Sequence, residues 1–171
     1  MSKRVVVIGN AGGGKSVLAR KLAAKRDLPY IEIDALVWQP GWELAKENVY
    51  EAEHARLIKD ERWLMDGRGW LNSMAARLER ATEIIFIDMP LWMHFWLAAE
   101  RQIAWAKGEL ERPPAGIHDM PTTEEMFRSL WDVEQDEMPE IRRLIAAEEQ
   151  RDKKVVRIAS VDELNKFSAK L

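Results

Sequence analysis

The residues with the clearest chemistry come first in the chain. Gly9-Asn10-Ala11-Gly12-Gly13-Gly14-Lys15-Ser16 satisfies the pattern G-x-x-x-x-G-K-[ST] at every fixed position. Glycine tolerates positive φ and lets a backbone pass close to phosphate oxygens. The loop N–H groups can then point inward as an anion nest, and a helix starting near Lys15 adds the positive end of its dipole. Lys15 supplies a cation for the β and γ phosphates, and the Ser16 hydroxyl is suited to Mg²⁺. The segment Gly9, Asn10, Ala11, Gly12, Gly13, Gly14, Lys15, Ser16 and Val17 is therefore the candidate binding site for the phosphates of a nucleoside triphosphate, with Mg²⁺.

Carboxylates supply the second set. Three apolar stretches end in aspartate, at Asp34, Asp66 and Asp88. In parallel α/β sheets ligands gather at the carboxyl ends of strands, so all three fall on the edge that carries the glycine loop. One of them is expected to help hold the metal, usually through water. Ile84-Ile85-Phe86-Ile87-Asp88 has the longer apolar run, and Trp63-Leu64-Met65-Asp66 also fits. Asp88 has a competing role as a helix cap ahead of Pro90, and Asp34 as a cap or turn residue. His54, His94 and His118 lack metal-ligand spacing and read as surface or packing residues rather than catalytic ones.

The elements that must position these groups follow from the hydrophobic pattern. Lys3–Ile8, Tyr30–Ile33, Trp63–Met65, Glu83–Ile87 and Val155–Ile158 are short, apolar and rich in β-branched residues, as buried strands are. Helical patterns lie between them over Lys15–Lys25, Glu47–Asp60, Asn72–Glu79, Leu91–Lys107 and Glu124–Gln150, the last with Pro139 as a kink or break. Trp38–Trp42 reads as a loop, and Ser160 caps a final helix with Glu163 in the capping-box position. Five strands alternating with helices imply an α/β fold with a parallel sheet covered on both faces. The Gly- and Pro-containing stretch at 108–121 is the candidate insert or lid.

Composition limits the remaining possibilities. A chain of 171 residues suits a single domain. It contains no cysteine, which excludes disulfides and zinc–thiolate sites. The formal net charge of -3 argues against direct nucleic-acid binding, which relies on Lys and Arg. No apolar run approaches the ~20 residues that span a bilayer, so a cytoplasmic protein is expected. Most of the eight tryptophans are expected in core and pocket packing, with one or two free to stack on a nucleobase.

Several of these segments together resemble the adenylate-kinase-related P-loop kinases, and within them the bacterial DNA topology modulation (FlaR-like) proteins. They are Gly9–Ser16, Leu28–Asp34, Ala35-Leu36-Val37-Trp38-Gln39-Pro40-Gly41-Trp42, Trp63–Gly67, Arg77–Ala81, Ile84–Pro90 and Val155–Ile158. The resemblance covers nearly the whole chain, with a poor match over Gly108–Gln150. It implies a three-layer P-loop NTPase fold, a five-stranded parallel sheet in the order 2-3-1-4-5, and a lid between strands 4 and 5 at about 108–123. It assigns the magnesium-side carboxylate to Asp66, in a D-G pair, and leaves Asp88 structural. It places Asp34 near the acceptor as a general base. Trp38 and Arg68 are the other candidate acceptor-binding residues, Arg68 either touching an anionic acceptor or lying on the surface, and Arg101 and Arg112 are expected to close over the phosphates. The implied activity is transfer of the γ-phosphoryl group of ATP, with Mg²⁺, to a small nucleotide- or nucleoside-type acceptor. A nucleotide-binding regulatory or DNA-topology-related protein with weak or no turnover is the alternative.

Two departures from the pattern stand out. Arg68 and Gly69 follow the D-G pair where the group has asparagine and an aromatic residue. The lid region is acidic, with Glu109-Leu110-Glu111-Arg112 and then Glu134-Gln135-Asp136-Glu137, leaving Arg101, Lys107, Arg112 and Arg128 as phosphate partners. The second acidic run reads as a solvated helix face.

Overall fold

The computed structural model describes residues 2–39, 43–109 and 121–171, with the side chains of 38 and 39 excepted. Arg112 and His118, and with them most of the expected lid, lie outside the described residues. Seven strands and eight helices follow one another among the described residues. They are β1 (Lys3–Gly9), α1 (Lys15–Arg26), β2 (Tyr30–Glu32), α2 (Asp34–Val37), β3 (Trp38–Gln39), β4 (Glu43–Leu44), α3 (Glu47–Leu57), β5 (Arg62–Asp66), α4 (Leu71–Arg80), β6 (Glu83–Ile87), α5 (Leu91–Ala106), α6 (Thr123–Asp136), α7 (Met138–Glu149), β7 (Lys154–Ile158) and α8 (Val161–Ala169).

The main sheet has five parallel strands in the order β2-β5-β1-β6-β7. Counted along the chain within this sheet, that is the expected 2-3-1-4-5. Its central strands are apolar at every turn of the pleat because both faces are covered. Alternation sends Val6, Ile8, Met65, Ile84 and Phe86 into a core with Tyr50, Met74, Leu78, Ile141 and Ile145. It sends Val5, Val7, Leu64, Ile85 and Ile87 to the other face, against Leu18, Leu22 and Ile158. Burial of a large aliphatic side chain stabilises the fold by roughly 1.5–3 kcal/mol, so these two layers dominate its energetics.

Three local expectations need correction. The Trp38–Trp42 stretch is not simply a loop: residues on either side of 40–42 pair as the antiparallel strands β3 and β4. The long helix expected over Glu124–Gln150 is two helices. Pro139 stands in the first turn of α7, where its missing N–H costs nothing, and the chain breaks at Glu137. Asp88 caps no helix: α5 begins after Pro90 with no side-chain cap. The tryptophans also divide. Trp63 is fully buried and Trp70 packs on Tyr50 at 4.8 Å, but Trp92, Trp96 and Trp131 are more than half exposed.

Candidate functional site

The carboxyl ends of the parallel strands form one edge, and the start of the glycine loop, Asp34 and Asp66 lie along it. In register, Val7 of β1 lies beside Asp66 of β5, Glu32 of β2 beside Asp66, and Gly9 beside Ile87 of β6. The glycine loop leaves β1 at this edge and enters α1 at Lys15. Gly14 caps α1 in the left-handed region, with φ 73°, and no side chain takes up the first-turn N–H groups. Those donors remain available to an anion.

Two side chains outside the loop set its shape. Asn10 is fully buried; its amide donates to the Leu130 carbonyl at 3.0 Å and to Glu134 at 3.3 Å, while its own oxygen accepts from the Ala11 N–H at 2.8 Å. His94 of α5 is buried beneath the loop with Nδ1 2.7 Å from the Ala11 carbonyl, so Nδ1 carries the proton. Burial pushes its pKa below the usual histidine range, and the Lys15 charge adds to that. A Cβ on Gly13 would stand 3.0 Å from His94 Cε1 and 3.2 Å from Ile87 Cγ2. Glycine there is what lets the loop lie on the imidazole.

Lys15 points back into the loop and donates to the Asn10 carbonyl at 2.6 Å. Its pKa is lowered, chiefly by burial. The carboxylates of Asp66 and Asp34 oppose that shift, and the charges of Arg68 and Arg101 add to it. The charges of Asp34, Asp66, Arg68 and Arg101 thus all reach Lys15. Ser16 follows on the first turn of α1, and Val17 is exposed.

Asp66 is buried to 1% exposure. Its Oδ2 accepts from the Tyr30 hydroxyl at 3.1 Å, while Oδ1 is buried with no hydrogen-bond partner. Burial, then the Asp66 charge, drives the Tyr30 pKa well up, so the phenol stays a donor. An orphaned, buried carboxylate oxygen whose charge reaches Lys15 fits a hydrated divalent cation, which would satisfy it. Among the described residues no group of three or more Asp, Glu or His forms a protein cage for a metal. A magnesium ion held here would accordingly rely on Ser16, on water at Asp66, and on phosphate oxygens. Asp88 is in a different state: it is ion-paired to Arg142 at 2.9 Å and to Arg157 at 3.6 Å.

Asp34 opens α2 just past β2 and is exposed. Its carboxylate accepts from the Gly69 N–H at 3.3 Å. A Cβ on Gly67, where φ is 107°, would lie 3.0 Å from the Asp34 carboxylate. The D-G pair thus lets the Asp34 carboxylate lie against the backbone that carries Asp66. Beneath this turn the fully buried Arg77 of α4 donates to the carbonyls of Gly67 at 3.2 Å and Arg68 at 2.8 Å. A hollow of about 400 Å³ opens beside Asp34 and is lined by Val37, Leu44, Arg68, Trp70 and Glu137, among others.

Arg68 is not free in this hollow. Its Nε lies 2.6 Å from Glu137 Oε2, at an angle that makes a charge pair rather than a directed hydrogen bond. Glu134 is likewise turned inward and pairs with Arg142 at 2.6 Å. The reading of Glu134–Glu137 as a solvated face therefore fails for both glutamates. Arg128 is exposed and paired with Glu124 at 2.8 Å. Arg101 is exposed on α5, with no ion pair among the described residues. Trp38 lies on β3, and its side chain is outside the described structure.

Tyr30, Arg77, Glu134 and Glu137 were absent from the sequence-derived site. Tyr30 had a legible signal, because it opens the strand that leads to Asp34. The others act across elements distant in the chain, and no local spacing reveals them.

No family model matches the chain, and no curated protein matches it by sequence. Solved structures do match by shape. The shikimate kinase from Acinetobacter baumannii in complex with shikimate is 14% identical, with a TM-score of 0.58 over 99% of this chain and 90% of that one. The shikimate kinase from Bacteroides thetaiotaomicron is also 14% identical, with a TM-score of 0.53 over 79% of this chain and 80% of that one. A gluconokinase from Sinorhizobium meliloti is 19% identical over 75% of this chain and 89% of that one, at a TM-score of 0.45. At such identities the likeness shows the fold alone: this chain shares the α/β architecture of the two shikimate kinases, with its five-stranded parallel sheet and flanking helices.

Proposed function

We propose that the protein is an ATP- and Mg²⁺-dependent kinase of a small hydroxyl compound. The observation that carries this reading is the convergence of Lys15, Asp34 and the buried, half-satisfied Asp66 at the mouth of the glycine loop. The fold shared with shikimate kinases supports it.

In this reading the Gly9–Val17 backbone holds the β and γ phosphates, and Lys15 leaves the Asn10 carbonyl to bridge them. Magnesium, when bound, neutralises charge on the phosphate oxygens; Ser16 and Asp66 are the residues that would hold it. Asp34 accepts the acceptor hydroxyl proton as the oxygen attacks the γ-phosphorus, and the bond from that phosphorus to the β–γ bridging oxygen breaks to release ADP. Arg101, and Arg112 from the lid, supply positive charge over the transferring group. A nucleoside-type acceptor and the kinship with DNA topology modulation proteins rest on the sequence resemblance alone.

The test is calorimetric and kinetic. Wild-type protein is expected to bind ATP with Mg²⁺, and Lys15→Ala to lose that binding. Asp34→Asn is expected to keep ATP affinity and lose roughly 10²–10⁴-fold in kcat. Absence of Mg²⁺-dependent ATP binding by the wild type defeats the proposal.

A second reading keeps nucleotide binding and drops the transfer. It is favoured by Arg68, which is already paired with Glu137 and so withdrawn from an acceptor. It predicts ATP binding with no acceptor-stimulated ADP release, and an Asp34→Asn variant indistinguishable from wild type.

A further inference from the structure

The hollow beside Asp34 contains a strong statement about charge. Among its described lining residues Arg68 is the one cation, and Glu137 neutralises it at 2.6 Å. What remains to meet a ligand is the exposed Asp34 carboxylate, the apolar faces of Val37 and Leu44, and Trp70. A carboxylate or phosphate entering here must either displace Glu137 from Arg68 or lie beside two carboxylates, with Lys15 and Arg101 committed to the donor phosphates in the kinase reading. Both are costly at short range where water is partly excluded.

A second hollow, of about 390 Å³, adjoins the first across the Arg68–Glu137 pair. It is lined by Glu125, Asp132 and Asp136, with Arg128 as its only other described cation. Arg128 is itself paired with Glu124. The approach to Asp34 from this side is therefore acidic as well, and an acidic field concentrates neutral or positive solutes at the expense of anions.

We infer that the acceptor is a hydroxyl compound without an anionic group, a polyol or amino alcohol rather than a carboxylate or phosphate ester, and that Glu137 enforces this by occupying Arg68. The inference rests on the kinase reading and names the substrate class for that site.

The experiment uses the full chain with a saturating non-hydrolysable ATP analogue and Mg²⁺. Size-matched probes of charge -1, 0 and +1 are titrated in: gluconate, glucose and glucosamine, together with shikimate as a second acid. The neutral and cationic probes are expected to bind about tenfold or more tighter than the acids. Glu137→Gln should release Arg68 and strengthen binding of both acids by about tenfold. Raising the salt from about 0.05 to about 0.5 M should shrink the wild-type preference, independently of how the variant folds. Tighter binding of the acids by the wild type overturns the inference, as does an equal response, no response to any probe, or a preference insensitive to salt. ATP binding measured alone separates the two claims: its absence defeats the kinase reading, whereas ATP binding with a preference for acids defeats only the charge rule.

Discussion

At the scale of single residues, the loop that reads most plainly in the sequence is shaped by residues that do not. The glycine motif, Lys15 and Ser16 were fully legible, because each has a fixed place in a local pattern. His94 was not: nothing in the sequence spacing says that α5 carries it beneath the loop. Its Nδ1 donates to the Ala11 carbonyl at 2.7 Å, and its ring fills the space that a side chain at Gly13 would need. A structural packing role and a loop-positioning role predict different variants. His94→Asn keeps an N–H donor at the Nδ1 position but gives up ring volume, whereas His94→Gln places its donor farther out, and His94→Ala removes it. If the bond to Ala11 positions the loop, ATP affinity should fall about tenfold in His94→Ala and His94→Gln and stay within about threefold in His94→Asn. Calorimetric titration with ATP and Mg²⁺ reads this directly. Equal losses in all three would mean that the ring matters only as filler.

At the scale of elements, the strands were legible because a buried parallel sheet leaves a local record, β-branched runs that alternate with amphipathic helices, whereas their order followed only from the family resemblance. The junction of α6 and α7 was less so. Pro139 announced an interruption, but the pairing of Glu134 and Glu137 with Arg142 and Arg68 joins residues that only the folded chain brings together. These pairs tie α6 and α7 to the site. Glu134 accepts from Asn10 in the glycine loop, and Arg142 bridges Glu134 to Asp88 at the end of β6. Arg142→Ala would leave two partly buried carboxylates short of a cation. A loss of about 1–2 kcal/mol is expected, between the values for exposed and buried pairs. The start of α6 offers an independent check. Thr122 and Glu125 form a reciprocal capping box, so Thr122→Ala should cost about 1 kcal/mol. Urea unfolding curves measure both losses. Because the cap and the Arg142 pairs share no partner, the double variant should be additive within about 0.5 kcal/mol.

At the scale of the whole molecule, two histidines buried in the uncharged form tie stability to pH. His54 of α3 is 3% exposed, stacks on Tyr50 at 5.7 Å, and has its pKa lowered to about 4 by burial and then by the Arg77 charge. His94 is lowered in the same direction, chiefly by burial. In the unfolded chain each returns to about 6.5. Between about pH 6.5 and 4 the unfolded state therefore binds protons that the folded state refuses, and stability falls as pH falls through that window. For His54 alone the loss between pH 7.5 and 4.5 is about 2–3 kcal/mol, at 1.36 kcal/mol per unit of pKa difference. The carboxylates act lower down. Glu83 is pushed up by burial, but Arg26 and Lys154 hold its pKa below the ordinary glutamate value, so its contribution is lost only below about pH 4.5. Separating the two windows isolates the histidines. His54→Leu conserves volume approximately and removes the titrating group, so the slope of unfolding free energy against pH between 6.5 and 4.5 should flatten markedly, leaving the smaller His94 contribution. Urea unfolding at half-unit pH steps is the measurement. A variant with the wild-type slope would mean that His54 is protonated in the folded protein, which its place against Tyr50 and Arg77 forbids.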